Sequence, residues 1–555
     1  MCGIFFTIQQ EQSQSSSFLE LCQALERVNG ARGPDAQRTR RISLSDDLIL
    51  NFFGSELLLR GTTDVVQPHE ANGNIFCWNG EVFEGVLDIG QDENDGVKLF
   101  EKLSSLDSGR ELCDLFGNIE GPYAFVYYSA KTRRLFFGRD PLGRRSLLIH
   151  KPTPENPYLL LASTSIGRDT RYDFQELPTE HICCLELGLL GDRDLVNGLE
   201  SYWTIFNRAS TNAPYTQPPR ICEDVPSDDL PLLTSLETPN RFEEALQQFL
   251  DVLDTSVALR VRNIPKLPEA GAARLAVLFS GGVDSTVIAF LADKYIPVDE
   301  PIDLLNVAFE NPRKIRLQKE ERNKGIGGQE PPPYMVPDRE TGLQELEELR
   351  KLRPHRRWNF VEINVPYEES RAAQTEIEAV MFPARTVMDL SLAMALFFAS
   401  RGRGVLGDEV TPYQSRARVL LNGLGADELL GGYSRHKSIY KVKGWKALIE
   451  ELQLDIDRIP TRNLGRDDRV ISGFGKEMRH PFLSLSLVDF VARLPVHLKM
   501  DPRGAATEGD KALLRLAARR LGLVEASQRK KRAMQFGSRS ARMEGEKHGD
   551  TLLEG

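Results

Sequence analysis

Leu275–Ala289 reads LAVLFSGGVDSTVIA, and it decides how the second half of this chain folds. Ala276 to Phe279 is a short apolar run of the kind that fills a buried parallel strand. Ser280, Gly281 and Gly282 predict a turn that brings backbone close to a ligand, because glycine carries no Cβ. Thr286 to Tyr295 then reads as a helix with Val287, Phe290 and Leu291 inward. Strand, small-residue loop and helix N-terminus together aim N–H groups and the positive dipole end at an anion. No Lys-Ser/Thr pair follows the glycines, which excludes the Walker loop. Asp284, inside the loop, can set a carboxylate beside phosphates as a Mg²⁺ ligand. A plain strand followed by a glycine turn is the bland alternative.

The elements around this stretch suit a parallel sheet. Phe242 to Val261 is an amphipathic helix with Phe249, Val252, Leu253, Ser256 and Val257 on one side. Ile302–Phe309 and Asn359–Val365 are apolar strands, and Val387–Phe398 is an apolar helix. Glu310 to Leu349, with a basic run and three consecutive prolines, reads as a mobile insertion mostly without its own core. Arg418 to Tyr433, RVLLNGLGADELLGGY, repeats the strand–glycine–helix pattern: Val419–Leu421, then Gly423 and Gly425, then Asp427-Glu428 where the helix dipole favours acids.

At 555 residues the chain is too long for one core, and two or three domains are expected. Its 41% hydrophobic and 27% charged content is that of an ordinary soluble protein. A formal net charge of −10 argues against a nucleic-acid surface, and no apolar run reaches membrane-spanning length. The start, MCGIFFTIQQ, lacks the basic and long apolar segments of a signal peptide. All seven cysteines lie at or before Cys222 with no CxxC pair, which fits a reducing compartment. The eight histidines lack metal-ligand spacing. Cytoplasm is the expected location, with the nucleus as second choice.

Met1-Cys2-Gly3-Ile4 is the second informative stretch. A small second residue lets the initiator methionine be removed. Cys2 would then carry a free α-amine, which titrates near pH 8 and can serve as base for the thiol of its own residue. Arg32-Gly33-Pro34-Asp35 follows a helix-like Phe18–Val28, and Trp78-Asn79-Gly80-Glu81 follows a strand-like Asn74–Cys77. Asn94-Asp95-Gly96 comes shortly after, and Phe136–Asp140 runs into Pro141-Leu142-Gly143-Arg144-Arg145. Strands are expected at Ile42–Leu50, Tyr123–Tyr128 and Leu135–Gly138. A plain hairpin turn is the lesser alternative for Asn79-Gly80. Asn207–Asn240, rich in Pro, Thr and Ser, has linker composition.

These N-terminal pieces, in this order, resemble the N-terminal-nucleophile glutamine amidotransferase domain. The resemblance implies Cys2 as the nucleophile on a glutamine amide, with the Asn79 side chain and the Gly80 N–H holding the oxyanion. Asp95 would receive the α-amine, with Glu81 and Arg60 as further glutamine contacts. One part departs. Such domains usually place an arginine for the α-carboxylate in a segment like HERLSIVD, and the closest placement here puts Glu56 at that arginine. Arg60 lies four residues on, on the same sheet face but about 13 Å along an extended strand. It could substitute only through a bulge or register shift.

The second half resembles enzymes that split ATP between its α and β phosphates. SGGVDS is similar to their pyrophosphate loop, and Gly423 to Tyr433 to the SGxGxDExxxGGY segment of asparagine synthetases. Leu464–Arg469 and Glu477–Leu483 resemble that family's DR…ExRxPFLD region, and Gly509–Arg515 its GxKxxLR helix. Lys530–Gly537 closes the match. From Cys2 to about Gly537 the chain resembles the glutamine-hydrolysing asparagine synthetase family, and within it the asparagine synthetase domain-containing subgroup. The implied fold class is α/β. An N-terminal-nucleophile αββα sandwich (2–200) leads through a linker (201–240) into a Rossmann-like ATP-pyrophosphatase, or PP-loop, domain (241–540), with an insertion at 310–349 and a tail at 541–555.

The resemblance implies ATP and Mg²⁺ as cofactors and glutamine and aspartate as substrates, with neither nucleic acid nor membrane as partner and a homodimer compatible. Leu278, Ser280, Gly281, Gly282, Asp284, Ser285, Gly423 and Gly425 would hold ATP. Asp284 and Asp427 would hold the metal, and Lys511 would stabilise charge on the α phosphate or the tetrahedral intermediate. The reaction implied is amidation of aspartate through an acyl-adenylate, using ammonia from glutamine. At Leu424 the family carries a glutamate placed to handle the ammonia proton, and leucine accepts none; such losses cost about 10²–10⁴-fold. Glu428, one turn on, is the nearest replacement. An amidotransferase or adenylating enzyme for another carboxylate, and a nucleotide-binding scaffold, are the alternatives.

Overall fold

The computed structural model describes the chain except residues 1, 11–14, 46–47, 62–64, 91, 191–194, 211, 228, 230–239, 270, 311–333, 408–410, 505–508, 543–548 and 554–555. Its fold is mixed α/β. Three large sheets organise it: two six-stranded antiparallel sheets before Arg208 and one seven-stranded sheet after it.

The first antiparallel sheet centres on Gly3–Gln10, flanked by Tyr158–Ala162 and Leu48–Glu56. The second centres on Tyr123–Ser129 and Arg134–Arg139, with Asn74–Gly80 on one side and His181–Glu186 on the other. Alternation of side chains across each strand builds the layer between them. Ile4, Phe6 and Ile8 meet Ile75, Cys77, Val126 and Phe137 in one buried cluster. The opposite faces are covered by helices. Phe18, Leu21 and Leu25 of the helix Ser16–Gly30 pack on Phe5 and Phe53, and Leu99, Phe100 and Leu103 of Asp95–Leu103 pack beside Phe76 and Trp78.

One local expectation is corrected here, and one alternative reading is set aside. Ile42–Leu50 is not one strand but the end of a hairpin, in which Ala36–Ser43 pairs antiparallel with Leu48–Glu56 and Ile42 faces Leu50. The chain reverses where Leu44 N donates to Leu48 O at 2.9 Å. Asn79 and Gly80 form the end of a strand rather than a hairpin turn, because Ala124 and Tyr123 pair with them.

In the large sheet the strands Trp358–Val365, Ile302–Phe309, Leu275–Leu278, Val419–Leu421 and Glu477–Arg479 run parallel in that order. Arg403–Leu406 and Thr411–Gln414 extend one edge antiparallel. Both faces are buried, as a parallel sheet requires. Val277, Leu304 and Phe360 face a cluster with the helices Asn240–Val261, Val283–Ala292 and Pro337–Leu352. Ala276, Leu305 and Val361 face another with Tyr367–Met381, Val387–Arg401 and Leu464–Ser472. The helix after the glycine loop begins at Val283, three residues before the expected Thr286, and a 3₁₀ turn finishes it at Asp293–Tyr295.

The stretch 310–349 is corrected in its second part. Pro337–Leu352 is a helix with Leu346 and Leu349 in the core, so this part has a packed face; residues 311–333 lie outside the described residues. Among the described residues no helix is long and apolar enough to cross a membrane.

Candidate functional site

Two groups of side chains converge. The first surrounds Cys2. The register Gly3↔Ser55 continues to place Cys2 opposite Glu56, where the two strands end. Cys2 N donates to Asn79 Oδ1 at 3.2 Å, and Arg32 Nε donates to Cys2 O at 3.1 Å. Asn79 is fully buried and its Nδ2 has no hydrogen-bond partner, a donor left free beside the thiol. A buried amide N–H without a partner costs free energy unless something accepts from it, which a developing oxyanion would do. Gly80 must be glycine: an added Cβ would lie 2.7 Å from the Trp78 ring and from Tyr123 Cβ.

Asp95 opens a helix capped by Asn94, and its Oδ2 accepts from Val82 N at 2.8 Å. Arg60 sits in the same pocket. The strand stops at Glu56 and the chain turns, with Leu58 N donating to Asp35 Oδ2 at 2.8 Å. Arg60 Nη1 thereby reaches Val82 O at 2.5 Å and lies 3.8 Å from Glu81 Oε2. The paired strand ends at Glu56, so Arg60 is not held in its register. Burial pushes the Glu56 and Glu81 carboxyls each up to about 7 and raises Asp95 as well. Burial, then the Glu56 charge, raises the Cys2 thiol.

The second half of the chain reaches into this pocket. Arg479 Nη2 lies 3.1 Å from Glu81 Oε1, and its Nε lies 2.6 Å from Glu477 Oε1. Arg145 Nη2 meets Glu477 Oε2 at 2.8 Å, and Arg32 Nη2 meets Asp468 Oδ2 at 2.7 Å. Burial would raise Glu477, yet Arg145 and Arg479 hold it down at about 2.

The second group forms where the strands Leu275–Leu278 and Val419–Leu421 run out side by side. Gly281 takes φ +74°, and a Cβ there would lie 2.4 Å from the Thr341 backbone, so the helix Pro337–Leu352 presses directly on the loop. A Cβ at Gly423 would lie 2.6 Å from Asp284 Cβ, which brings the two glycine motifs into contact. Leu278, Ser280, Asp284, Ser285, Gly423 and Asp427 line one cavity of about 280 Å³, together with Leu424, Tyr433 and Lys531. Gly282 precedes the helix at its N-cap. Gly425 instead faces Leu483 and Phe482, away from the cavity wall.

Lys511 joins the two carboxylates. Its Nζ lies 2.6 Å from Asp284 Oδ2 and 2.8 Å from Asp427 Oδ1, while Lys531 Nζ lies 2.7 Å from Asp427 Oδ2. Against burial, the two ammonium groups hold Asp427 down at about 2; burial raises Asp284, which has one such partner. Lys511 is 1% exposed and sits at φ +51°, a strained conformation for a side chain of its size. Lys531, to which the motif reading gave no role, lines the cavity, as do Arg462, Arg466 and Arg532. Arg466, 2.6 Å from Asp389 and 2.7 Å from Asp467, and the buried Asp338 were also missed as wall residues. Asp389 carried a sequence signal, the Thr386–Asp389 capping box.

This donor set fits Mg²⁺, which takes one or two carboxylates plus phosphate oxygens and water. Asp284 Oδ1 has neither a hydrogen-bond nor an ion-pair partner and is an oxygen available to it; Asp427 Oδ1 has Lys511 Nζ at 2.8 Å. Among the described residues no group of three or more His, Cys, Asp or Glu side chains could hold a metal by itself. Glu428 lies behind Leu424 in a separate cavity of about 20 Å³ that Asp455, Arg462 and Leu483 also line. Its carboxylate accepts from Tyr433 OH at 2.5 Å.

Comparison with known proteins bears on this arrangement. A family model described as Asparagine synthase matches residues 437–552. A Gallus gallus protein named asparagine synthetase domain-containing protein 1 is 36% identical over 92% of this chain and 93% of its own length. The Homo sapiens protein of that name is 36% identical over 98% and 96%. A Saccharomyces cerevisiae asparagine synthetase domain-containing protein is 34% identical over 94% and 90%. The chain belongs to the asparagine synthetase domain-containing protein 1 family.

Proposed function

We propose that the chain is a glutamine-dependent amidating ligase of the asparagine synthetase type. It would combine an N-terminal-nucleophile αββα sandwich (2–200) with a PP-loop ATP-pyrophosphatase (241–540) through the linker between them, with aspartate as the carboxylate. The observation that carries this reading is Lys511 joined to both Asp284 and Asp427, at the meeting of two glycine loops on adjacent strand ends.

In this reading, Cys2 Sγ attacks the glutamine amide and Asn79 Nδ2 donates a hydrogen bond to the oxyanion. Asp95 and Glu81 hold the glutamine α-amine, and Arg60 takes the place of the missing carboxylate arginine. Ser280–Ser285 present N–H groups to the phosphates of ATP. Lys531 neutralises phosphate charge directly, and Lys511 fixes both aspartates. Mg²⁺ held by Asp284 and Asp427 would supply charge neutralisation on the leaving pyrophosphate. A carboxylate seated near Arg466 attacks the α phosphorus, and ammonia displaces AMP. Cytoplasm is the compartment that suits these small-molecule substrates.

ATP–pyrophosphate exchange, run across candidate carboxylates, tests the reading. Aspartate-dependent exchange with one asparagine per pyrophosphate is expected. ATP binding with no exchange for any carboxylate sinks it.

Leu424 on the cavity wall favours a second reading, in which the same site activates a carboxylate other than aspartate or binds nucleotide without turnover. Exchange that responds to a different carboxylate alone would select it.

A further inference from the structure

We propose that Glu56 is the proton acceptor for the Cys2 thiol and that Gln67 orients it, forming a Cys2–Glu56–Gln67 relay. This rests on reading Cys2 as the glutaminase nucleophile, but it makes its own claim about which group takes the proton.

The strand register supplies the geometry. With Gly3 paired to Ser55, Cys2 and Glu56 are cross-strand neighbours, whose Cβ atoms stand about 5 Å apart. That register puts the Cys2 thiol and the Glu56 carboxyl on one face of the sheet, where the Glu56 charge adds to burial in raising the thiol. Cys2, Glu56 and Gln67 are 6%, 5% and 2% exposed, so water does not compete for the proton.

Gln67 fixes the carboxyl's state. Trp78 N–H can only donate, and it donates to Gln67 Oε1 at 2.6 Å. That leaves Gln67 Nε2 facing Glu56 Oε2, to which it donates. Glu56 must present an acceptor to Gln67, and its other lone pairs remain for the thiol hydrogen.

The Cys2 N–H donates to Asn79 Oδ1, which leaves Asn79 Nδ2 as the amide's unpaired donor. Glu56, where the family resemblance calls for an arginine, is then a gained base as well as a lost cation. With its carboxyl at about 7, it is matched to proton transfer near neutral pH.

The step balances. As Sγ bonds to the amide carbon of glutamine, the thiol proton passes to Glu56 and the carbonyl electron pair moves to oxygen. When the C–N bond breaks, Glu56 returns that proton to nitrogen and ammonia leaves a thioester. Glu56 then takes a proton from the attacking water and gives it to the departing sulfur, releasing glutamate.

The test is the pH dependence of Cys2 alkylation by iodoacetamide in the full-length protein, read on the N-terminal peptide by mass. It needs no glutamine. Glu56 and Cys2 titrate as a pair, so the wild type should show two steps, one near neutrality and one far above it. Glu56→Gln, which keeps shape but accepts no proton, should show one step. Glu56→Asp should retain two. Gln67→Met, which leaves the carboxyl in place, should move the lower step to higher pH by removing a donor to the charged form. An unchanged two-step profile in Glu56→Gln overturns the relay. If that variant does not fold, an unmoved lower step in Gln67→Met does so instead. Glutamine hydrolysis separates the two claims. With the relay intact, kcat in Glu56→Gln falls about 10²–10⁴-fold with little change in KM. Hydrolysis undiminished in Glu56→Gln refutes the relay and leaves the glutaminase reading standing. A two-step profile lost in Glu56→Gln, in a protein that never hydrolyses glutamine, does the reverse.

Discussion

Arg479 Nη2 lies 3.1 Å from Glu81 Oε1, so the last strand of the parallel sheet carries its guanidinium into the Cys2 pocket. The same guanidinium donates to Arg260 O at 2.7 Å and pairs with Glu477. One buried cation therefore neutralises a carboxylate in each half of the chain. Removing one partner of a buried pair costs about 3–5 kcal/mol, because the other charge stays behind unpaired. Arg479→Met should lower the melting temperature and uncouple the halves. Limited proteolysis between residues 207 and 240 should accelerate in that variant; unchanged melting and cleavage would show that the contact is incidental.

Glu477 gives a second handle on this interface. Its carboxyl is held at about 2, well below an unfolded glutamate near 4.3. A depressed carboxyl contributes stability that is present above the unfolded value and lost as pH falls through the folded one. Wild-type stability should therefore drop between about pH 4.5 and 2 more steeply than in Glu477→Gln, as followed by denaturant midpoints.

Glu56 has the opposite sign. Its folded value of about 7 lies above the unfolded one, so its contribution is present below about pH 4.3 and lost as pH rises through 7. Glu56→Gln should match wild type in melting temperature at pH 4.5 and exceed it at pH 8. A variant less stable than wild type at pH 8 would mean that the ionised carboxylate is favoured where it sits.

The reach of the sequence differed between these groups for a physical reason. Ser280–Ser285 and Asp427 lie within single short loops, so local spacing places them against one another once two strands are adjacent. Cys2, Asn79 and Asp95 are farther apart, yet each sits at a turn or strand end whose residues are distinctive. Arg60 depends on where a strand stops, and nothing local to Phe53–Arg60 says that it stops at Glu56. The meeting of Cys2 with Glu56 depends on register, and a slip of one residue would turn that carboxylate to the other face. Lys511 between two aspartates requires three segments to dock together, which no local pattern encodes.

Lys511 itself makes a strong prediction. Asp284 and Asp427 stand half-buried side by side, and Lys511 is the cation between them. Lys511→Met should raise the Asp284 carboxyl further and abolish ATP–pyrophosphate exchange. Asp284→Asn with Asp427→Asn should weaken MgATP affinity far more than it lowers the melting temperature. Calorimetry showing wild-type affinity in that double variant would reduce the loop to a turn.

Leu424 tests the amidation step. It lines the nucleotide cavity where the family resemblance calls for a glutamate, and Glu428 lies behind it with its carboxylate on Tyr433 OH. Burial and then the Asp427 charge raise the Glu428 carboxyl, which makes it a better base than an exposed glutamate. Tyr433 lines the cavity, so a proton taken from ammonia there could pass through its hydroxyl to Glu428. On this path Glu428→Gln and Tyr433→Phe should each depress ammonia-dependent amidation about 10²-fold, with pyrophosphate exchange nearly unchanged. Leu424→Glu should alter the wild-type rate only modestly, since a base is already in place, and should restore much of the loss in Glu428→Gln. If Glu428→Gln and Tyr433→Phe amidate at the wild-type rate, the proton leaves by another route. If Leu424→Glu alone creates amidation that the wild type lacks, the wild-type site activates a carboxylate without making asparagine.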